Sequence, residues 1–266
     1  MLALFPSRTV AIDLFGFEIH WYGLMYLFAF VLAIVILPNI QRTRNLHLTR
    51  DEWLSIVSWG ALGVILGGRL GFVFFYEPGF FSDHPLEIVK VWNGGMSSHG
   101  GFLGVFLVLA IHCMGRKIPM RSLADVMTVP AAIGLGLGRF GNFINQELYG
   151  TPTTLPWGIA IPGMDGSYHP LQIYDMLLSF GIAAACYWHL THRPHAFGRT
   201  FALFLILYGA MRFFLEYLRI QLYPLIDTGV LILTRGQLLT LPLLLIGVLL
   251  WKWMKPERTV VPSKSS

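Results

Sequence analysis

The chain has 266 residues, 55% hydrophobic and 12% charged, with a mean hydropathy of +0.62. Such a composition excludes an ordinary soluble globular domain and points to a polytopic membrane protein. The formal net charge of +5 comes from basic residues dispersed between apolar windows, so it reads as a topology signal and excludes a nucleic-acid-binding surface.

Apolar windows of about 20 residues, the length that crosses ~30 Å of hydrocarbon, run near 19–37, 53–76, 95–114, 123–145, 171–190, 200–219 and 236–254. They predict an all-α fold of about seven transmembrane helices around an intramembrane polar cavity. Arg42, Arg44 and Arg50 follow the first window, Arg116, Lys117 and Arg121 the third, Arg193 and Arg199 the fifth, and Lys252, Lys255, Arg258 and Lys264 the seventh. The alternate connections are poorer in Lys and Arg, so the amino terminus is expected outside and the carboxyl terminus in the cytoplasm. Residues 1–255 are expected to form one transmembrane catalytic domain, with a small outer cap around 146–170 and a cytoplasmic polar tail at 256–266.

Residues 1–18 are mixed in character, with an amphipathic piece around Val10 to Ile19. The first window has no basic leader and no small-residue cleavage site, and is expected to be retained as a helix. Trp21 at its entrance is an interfacial anchor by type, while Tyr22 and Tyr26, one turn apart, can present hydroxyls inward. The second window carries Gly63, Gly67 and Gly71 at spacing four, a stripe that lets a neighbouring backbone approach closely. Arg69 lies among them and has two readings, a side chain snorkelling to the headgroups or a member of a site.

The third window opens on Asn93, Gly94, Gly95, Met96, Ser97, Ser98, His99, Gly100 and Gly101. The glycines leave the His99 imidazole unshielded, and an unperturbed histidine, titrating near ~6.5, accepts a proton at neutral pH. Cys113 and Cys186 fall near predicted cytoplasmic helix ends and read as packing cysteines. A disulfide is not expected there, and the ligands for a zinc site are not evident nearby. Any thiol chemistry on the outer side must therefore use a sulfur from another molecule.

The fourth window holds the most telling stretch, GLGLGRFGNFINQELYG at 134–150. It sets Arg139, Asn142, Asn145 and Glu147 in an apolar run, although a charge near the bilayer centre costs roughly 2.5–3.5 kcal/mol on insertion scales. Asp125, near the cytoplasmic end of this helix, is expected to partner a basic residue. His169, Pro170, Gln172, Tyr174 and Asp175 lead into the fifth helix. On the sixth, Tyr208, Arg212 and Glu216 are spaced by four, so one face offers a phenol, a guanidinium and a carboxylate. An Arg212–Glu216 ion pair that neutralises itself is one reading, and a lipid phosphate held by Arg139 and Arg212 together is the other. The seventh helix is nearly all apolar and is expected only to pack.

Two planar, permanently charged guanidinium groups in a low-dielectric cavity suit a phosphate and its departure as a dianion. His99 could act as base, with Asn142, Asn145, Tyr22 and Tyr208 orienting substrate oxygens. No GxSxG elbow, HExxH pair or P-loop is present, so the usual signatures of serine hydrolases, zincins and nucleotide enzymes are missing.

The segments WYGLMY at 21–26, GGRLG at 67–71, HGGFLG at 99–104, GLGRFGNFINQELYG at 136–150, HPLQIYD at 169–175 and YGAMRFFLEYLR at 208–219 together resemble the phosphatidylglycerol:prolipoprotein diacylglyceryl transferases of bacteria. The likeness runs from roughly residue 10 to 255. It implies transfer of a diacylglyceryl group from phosphatidylglycerol to the lipobox cysteine of a prolipoprotein signal peptide, forming a thioether and releasing glycerol 1-phosphate. It implies a multi-pass protein of the bacterial inner membrane with no cofactor, no metal and no nucleic-acid partner.

Carried over residue by residue, the resemblance makes His99, Arg139 and Arg212 the catalytic set. Arg139 would bind the phosphatidylglycerol phosphate, and Arg212 would stabilise the leaving group or gate access. His99 is the candidate thiol base, with arginine-assisted thiol activation as the alternative. Tyr22, Tyr26, Asn142, Asn145, Glu147, Gly150, Tyr208 and Glu216 form the expected substrate-binding set. The chain departs from the family at HPLQIYD, where HPSQLYE is common, in a short loop after Gly150, and at IQLYPLIDTG after Arg219, changes that bear on recruitment of the peptide. A non-catalytic phospholipid binder or translocator, or a relative modifying another thiol acceptor, are the competing functions; no inverted repeat of the transporter kind is visible.

Overall fold

A computed structural model describes residues 10–15, 17–91, 94–192, 196–221, 225–227, 229 and 232–254, with the side chains of Leu14, Phe17, Ser98, His99 and Arg235 outside the description. The apolar windows fold as α1 (Trp21–Ile40), α2 (Arg50–Phe75), α4 (Ser98–Arg116), α5 (Met120–Asn145), α6 (Leu171–His192), α7 (Arg199–Leu215) and α8 (Arg235–Trp253), and a short α3 (Pro78–Asp83) follows α2. Strand is confined, among the described residues, to three hairpins: β1 (Val10–Leu14) with β2 (Phe17–His20), β3 (Ile159–Ala160) with β4 (Ser167–Tyr168), and β5 (Ile226–Asp227) with β6 (Ile232–Leu233), each antiparallel. Among the described residues six helices are long and apolar enough to cross a membrane, and the described apolar part of α4, Gly100–Arg116, is shorter. In hydrocarbon a helix satisfies its own backbone polar groups, which is why long apolar segments settle into this form. The chain is an all-α, multi-pass membrane protein.

It divides into two compact units, one of Met1–Leu32 with Ala124–Ser266, the other of Ala33–Leu123. In the second unit α2 starts at a reciprocal cap, in which Thr49 Oγ1 accepts from the Glu52 N–H and the Glu52 carboxylate accepts from the Thr49 N–H at 2.7 Å. The glycine stripe of α2 meets a second stripe on α4. A Cβ at Gly63 would lie 2.9 Å from the Gly104 carbonyl oxygen, one at Gly67 would lie 2.7 Å from the Gly104 Cα, and one at Gly71 would lie 2.8 Å from the Gly100 Cα. Gly100, next to His99, thus serves helix packing.

Arg69 is not an exposed, snorkelling side chain. It is 5% exposed and donates to the carbonyls of Glu87, Ile88, Gly94 and Gly95, with its guanidinium 5.0 Å from the Phe81 ring centroid. One side chain therefore stitches the 85–95 connection to α2.

In the first unit Asp125 is fully buried, and its carboxylate oxygens accept from the N–H groups of Gly198 and Phe201, both at 2.9 Å. The Asp125 carboxylate thus caps the start of α7, whose free N–H groups attract it. Gly136 faces the Phe180 ring of α6, Gly141 faces Tyr22 of α1, and Gly209 and Gly247 let α7 and α8 close on each other through Leu244 and Ile206.

Candidate active site

The polar residues of the first unit gather where α5 ends, α6 begins and α7 ends. The segment between α5 and α6 is tied to the end of α7: Gly150 N–H donates to the His169 carbonyl at 2.9 Å and Thr151 N–H to the Leu218 carbonyl at 2.8 Å, with a bridge between Gly150 and Arg219. A Cβ at Gly150 would sit 2.7 Å from both the His169 Cβ and the Leu218 carbonyl oxygen. Gly150, expected among the substrate-binding residues, therefore holds the segment between α5 and α6 against the end of α7 by close backbone approach.

Arg139 on α5 and Arg212 on α7 converge on one oxygen. The Oδ2 of Asp175, on α6, lies 2.8 Å from Arg139 Nε and 3.2 Å from Arg212 Nη1, and Asp175 is 4% exposed. The Arg212–Glu216 pair is present as well, at 3.5 Å, and Arg219 Nη1 reaches the same Glu216 oxygen at 3.6 Å. Thr234 hydroxyl donates to the other Glu216 oxygen at 3.4 Å, and a Cβ at Gly236 would strike that carboxylate. The Arg212–Glu216 pair of the first reading is therefore present, and through Asp175 Arg212 is also joined to Arg139.

Asn142 continues the network. Its Oδ1 accepts from Arg139 Nη1 at 3.3 Å and its Nδ2 donates to Glu147 Oε1 at 2.6 Å. Buried charges in a low-dielectric interior need such partners. Tyr22 and Tyr26 share a hydroxyl–hydroxyl hydrogen bond of 3.1 Å. Tyr208, one turn before Arg212 on α7, stacks on Phe204 with ring centroids 5.8 Å apart. Asn145 ends α5 with its side-chain oxygen buried and unpartnered among the described residues.

His99 belongs to the other unit, at the first turn of α4, and its side chain lies outside the described residues. Within the family departure at IQLYPLIDTG, positions 222–224 and 228 also lie outside the described residues. Among the described residues no cluster of His, Cys, Asp and Glu converges as a metal site.

Three residues absent from the expected set belong to the cluster: Asp175, Gln172 and Arg219. With Arg139, Arg212, Leu148 and Leu171 they line a cavity of about 10 Å³. The signal for Asp175 was available, since a carboxylate inside an apolar window is as costly as an arginine.

The prolipoprotein diacylglyceryl transferase family model matches residues 9–253. Relatives named phosphatidylglycerol–prolipoprotein diacylglyceryl transferase include those of Nitrosomonas europaea, 42% identical over 94% of this chain and 92% of the relative, and of Bordetella avium, 40% identical over 93% and 95%. That of Geobacter sulfurreducens is 42% identical over 87% of this chain and 89% of its own.

Proposed function

The chain belongs to the prolipoprotein diacylglyceryl transferase family, and on that premise we propose that it transfers the diacylglyceryl group of phosphatidylglycerol to a cysteine thiol of a prolipoprotein, the lipobox cysteine, as the first step of lipoprotein maturation. It is a transferase. The sulfur forms a C–S bond to the lipid's glyceryl carbon while the C–O bond from that carbon to the phosphate breaks, and the thiol proton passes to a base. The phosphodiester, singly charged in the lipid, departs as glycerol 1-phosphate and gains negative charge.

The observation that carries this reading is that Arg139 and Arg212, from two helices, meet on a single oxygen of Asp175. Guanidinium groups that share one anionic partner are spaced for another, and fixed donors aimed at developing charge stabilise a transition state with little reorganisation. We assign phosphate binding to Arg139, leaving-group stabilisation to Arg212, and orientation of substrate oxygens to Asn142, Asn145, Tyr22, Tyr26 and Tyr208. Glu147 and Glu216 hold Asn142 and the arginines in place, and Gly150 holds the outer cap. His99 is our candidate base, with arginine-assisted thiol activation as its alternative. The active site is assigned to the outer face of a bacterial inner membrane, with the amino terminus outside and the carboxyl terminus in the cytoplasm.

Purified protein given phosphatidylglycerol and a lipobox peptide is expected to release glycerol 1-phosphate and to add one diacylglyceryl mass to the peptide. Retained phospholipid binding with no release would make the protein a lipid binder instead.

A further inference from the structure

Gln172 sits in the first turn of α6 and is 2% exposed. Its Nε2 donates to the Glu147 carbonyl at 2.6 Å, and that bond fixes which end of the amide is which, because a carbonyl can only accept. The amide oxygen is then left buried with no partner among the described residues. Gln172 lines the same cavity as Arg139, Asp175, Arg212 and Arg219. At about 10 Å³ that space admits roughly one water-sized group, so a hydroxyl fits where a phosphate does not.

We propose that the Gln172 amide oxygen accepts a hydrogen bond from a hydroxyl of the lipid headgroup, so that Gln172 selects a polyol phosphodiester over an anionic lipid without hydroxyls. The proposal rests on the transferase reading and adds the headgroup contact to it. A buried acceptor left unpaired is costly, and a ligand that supplies the missing donor recovers that cost. The phosphate cannot do so, because its ester and anionic oxygens carry no hydrogen. The arginines supply donors for those oxygens; Gln172 supplies the complementary acceptor in the adjoining space. A glycerol headgroup brings both kinds of atom on one short chain.

The test compares phosphatidylglycerol with phosphatidylpropanol, which has the same charge and no headgroup hydroxyl, using the full chain in detergent micelles. Wild type is expected to prefer phosphatidylglycerol in kcat/KM by at least ~10-fold, the scale of one buried hydrogen bond. Gln172→Leu also removes the Glu147 contact, so it is expected to lower turnover of both lipids, and to lose about 10–100-fold more with phosphatidylglycerol than with phosphatidylpropanol, erasing the preference. An equal fall with both lipids would overturn the proposal, because that is what loss of the Glu147 contact alone produces. An undiminished preference would overturn it as well. Gln172→Met, unbranched and of similar length, replaces the leucine variant if that one does not fold. Competition of the two lipids for binding to wild type and variant reads the same contact without turnover. Absence of turnover in wild type counts against the transferase reading, whereas an unchanged binding preference in the variant counts against the Gln172 contact.

Discussion

Asp175 decides how Arg139 and Arg212 can occupy one site. Two like charges held close together repel, by about 4 kcal/mol at ~4 Å and an effective dielectric constant of about 20, and a carboxylate oxygen bridging the two guanidinium groups at 2.8 and 3.2 Å offsets that repulsion. Asp175→Asn keeps the shape and removes the charge, so phosphatidylglycerol turnover should fall by about 10–100-fold, whereas Asp175→Glu should keep most of it; steady-state kinetics with a thermal-unfolding control in detergent distinguish the two. Arg139→Lys should lose roughly 100-fold in kcat/KM, because a point charge cannot serve Asp175 and Asn142 at once through Nε and Nη1. The two arginines were legible in the sequence because charge inside an apolar window demands a partner. Their meeting point was not, since it depends on how α6 lies against α5 and α7, and no spacing within one helix encodes that. Gln172 was hidden for a simpler reason: an amide near a helix start is unremarkable until its oxygen is found without a donor.

At the scale of elements, the seam between α2 and α4 is built from absent side chains. Gly104→Leu would drive a side chain into the Gly63 and Gly67 backbone, with no flexible neighbour to yield, and should destabilise the fold by about 1–3 kcal/mol or more, seen as a lowered midpoint of thermal unfolding. Arg69→Ala should likewise lower thermal stability, since it strips donors from the Glu87, Ile88, Gly94 and Gly95 carbonyls. The seven apolar windows each correspond to a helix, and the boundaries moved for local reasons. The third window was expected from residue 95, but Gly94 and Gly95 adopt φ of 80° and 73°, outside helical geometry, so α4 starts after Ser97, whose side chain caps Gly100 N–H. The second starts earlier than its apolar run because Thr49 and Glu52 form a cap ahead of it. Hairpins of two-residue strands, such as β3 with β4, carry too little alternation to be read from sequence.

For the molecule as a whole, the account places the reacting sulfur outside the chain. Both cysteines are buried, Cys186 in the first unit and Cys113 in the second. The double variant Cys113→Ala, Cys186→Ala should keep turnover within about 2-fold, allowing for modest repacking; its loss would return the nucleophile to the protein. The larger claim is that guanidinium groups from two helices act on one phosphate as a unit. Glycerol 1-phosphate release by wild type, Arg139→Lys, Arg212→Lys and the double variant tests this most directly. The account predicts that each single variant loses roughly 100-fold and that the double variant loses little more. Losses that multiply, or a single variant that turns over at the wild-type rate, would contradict it.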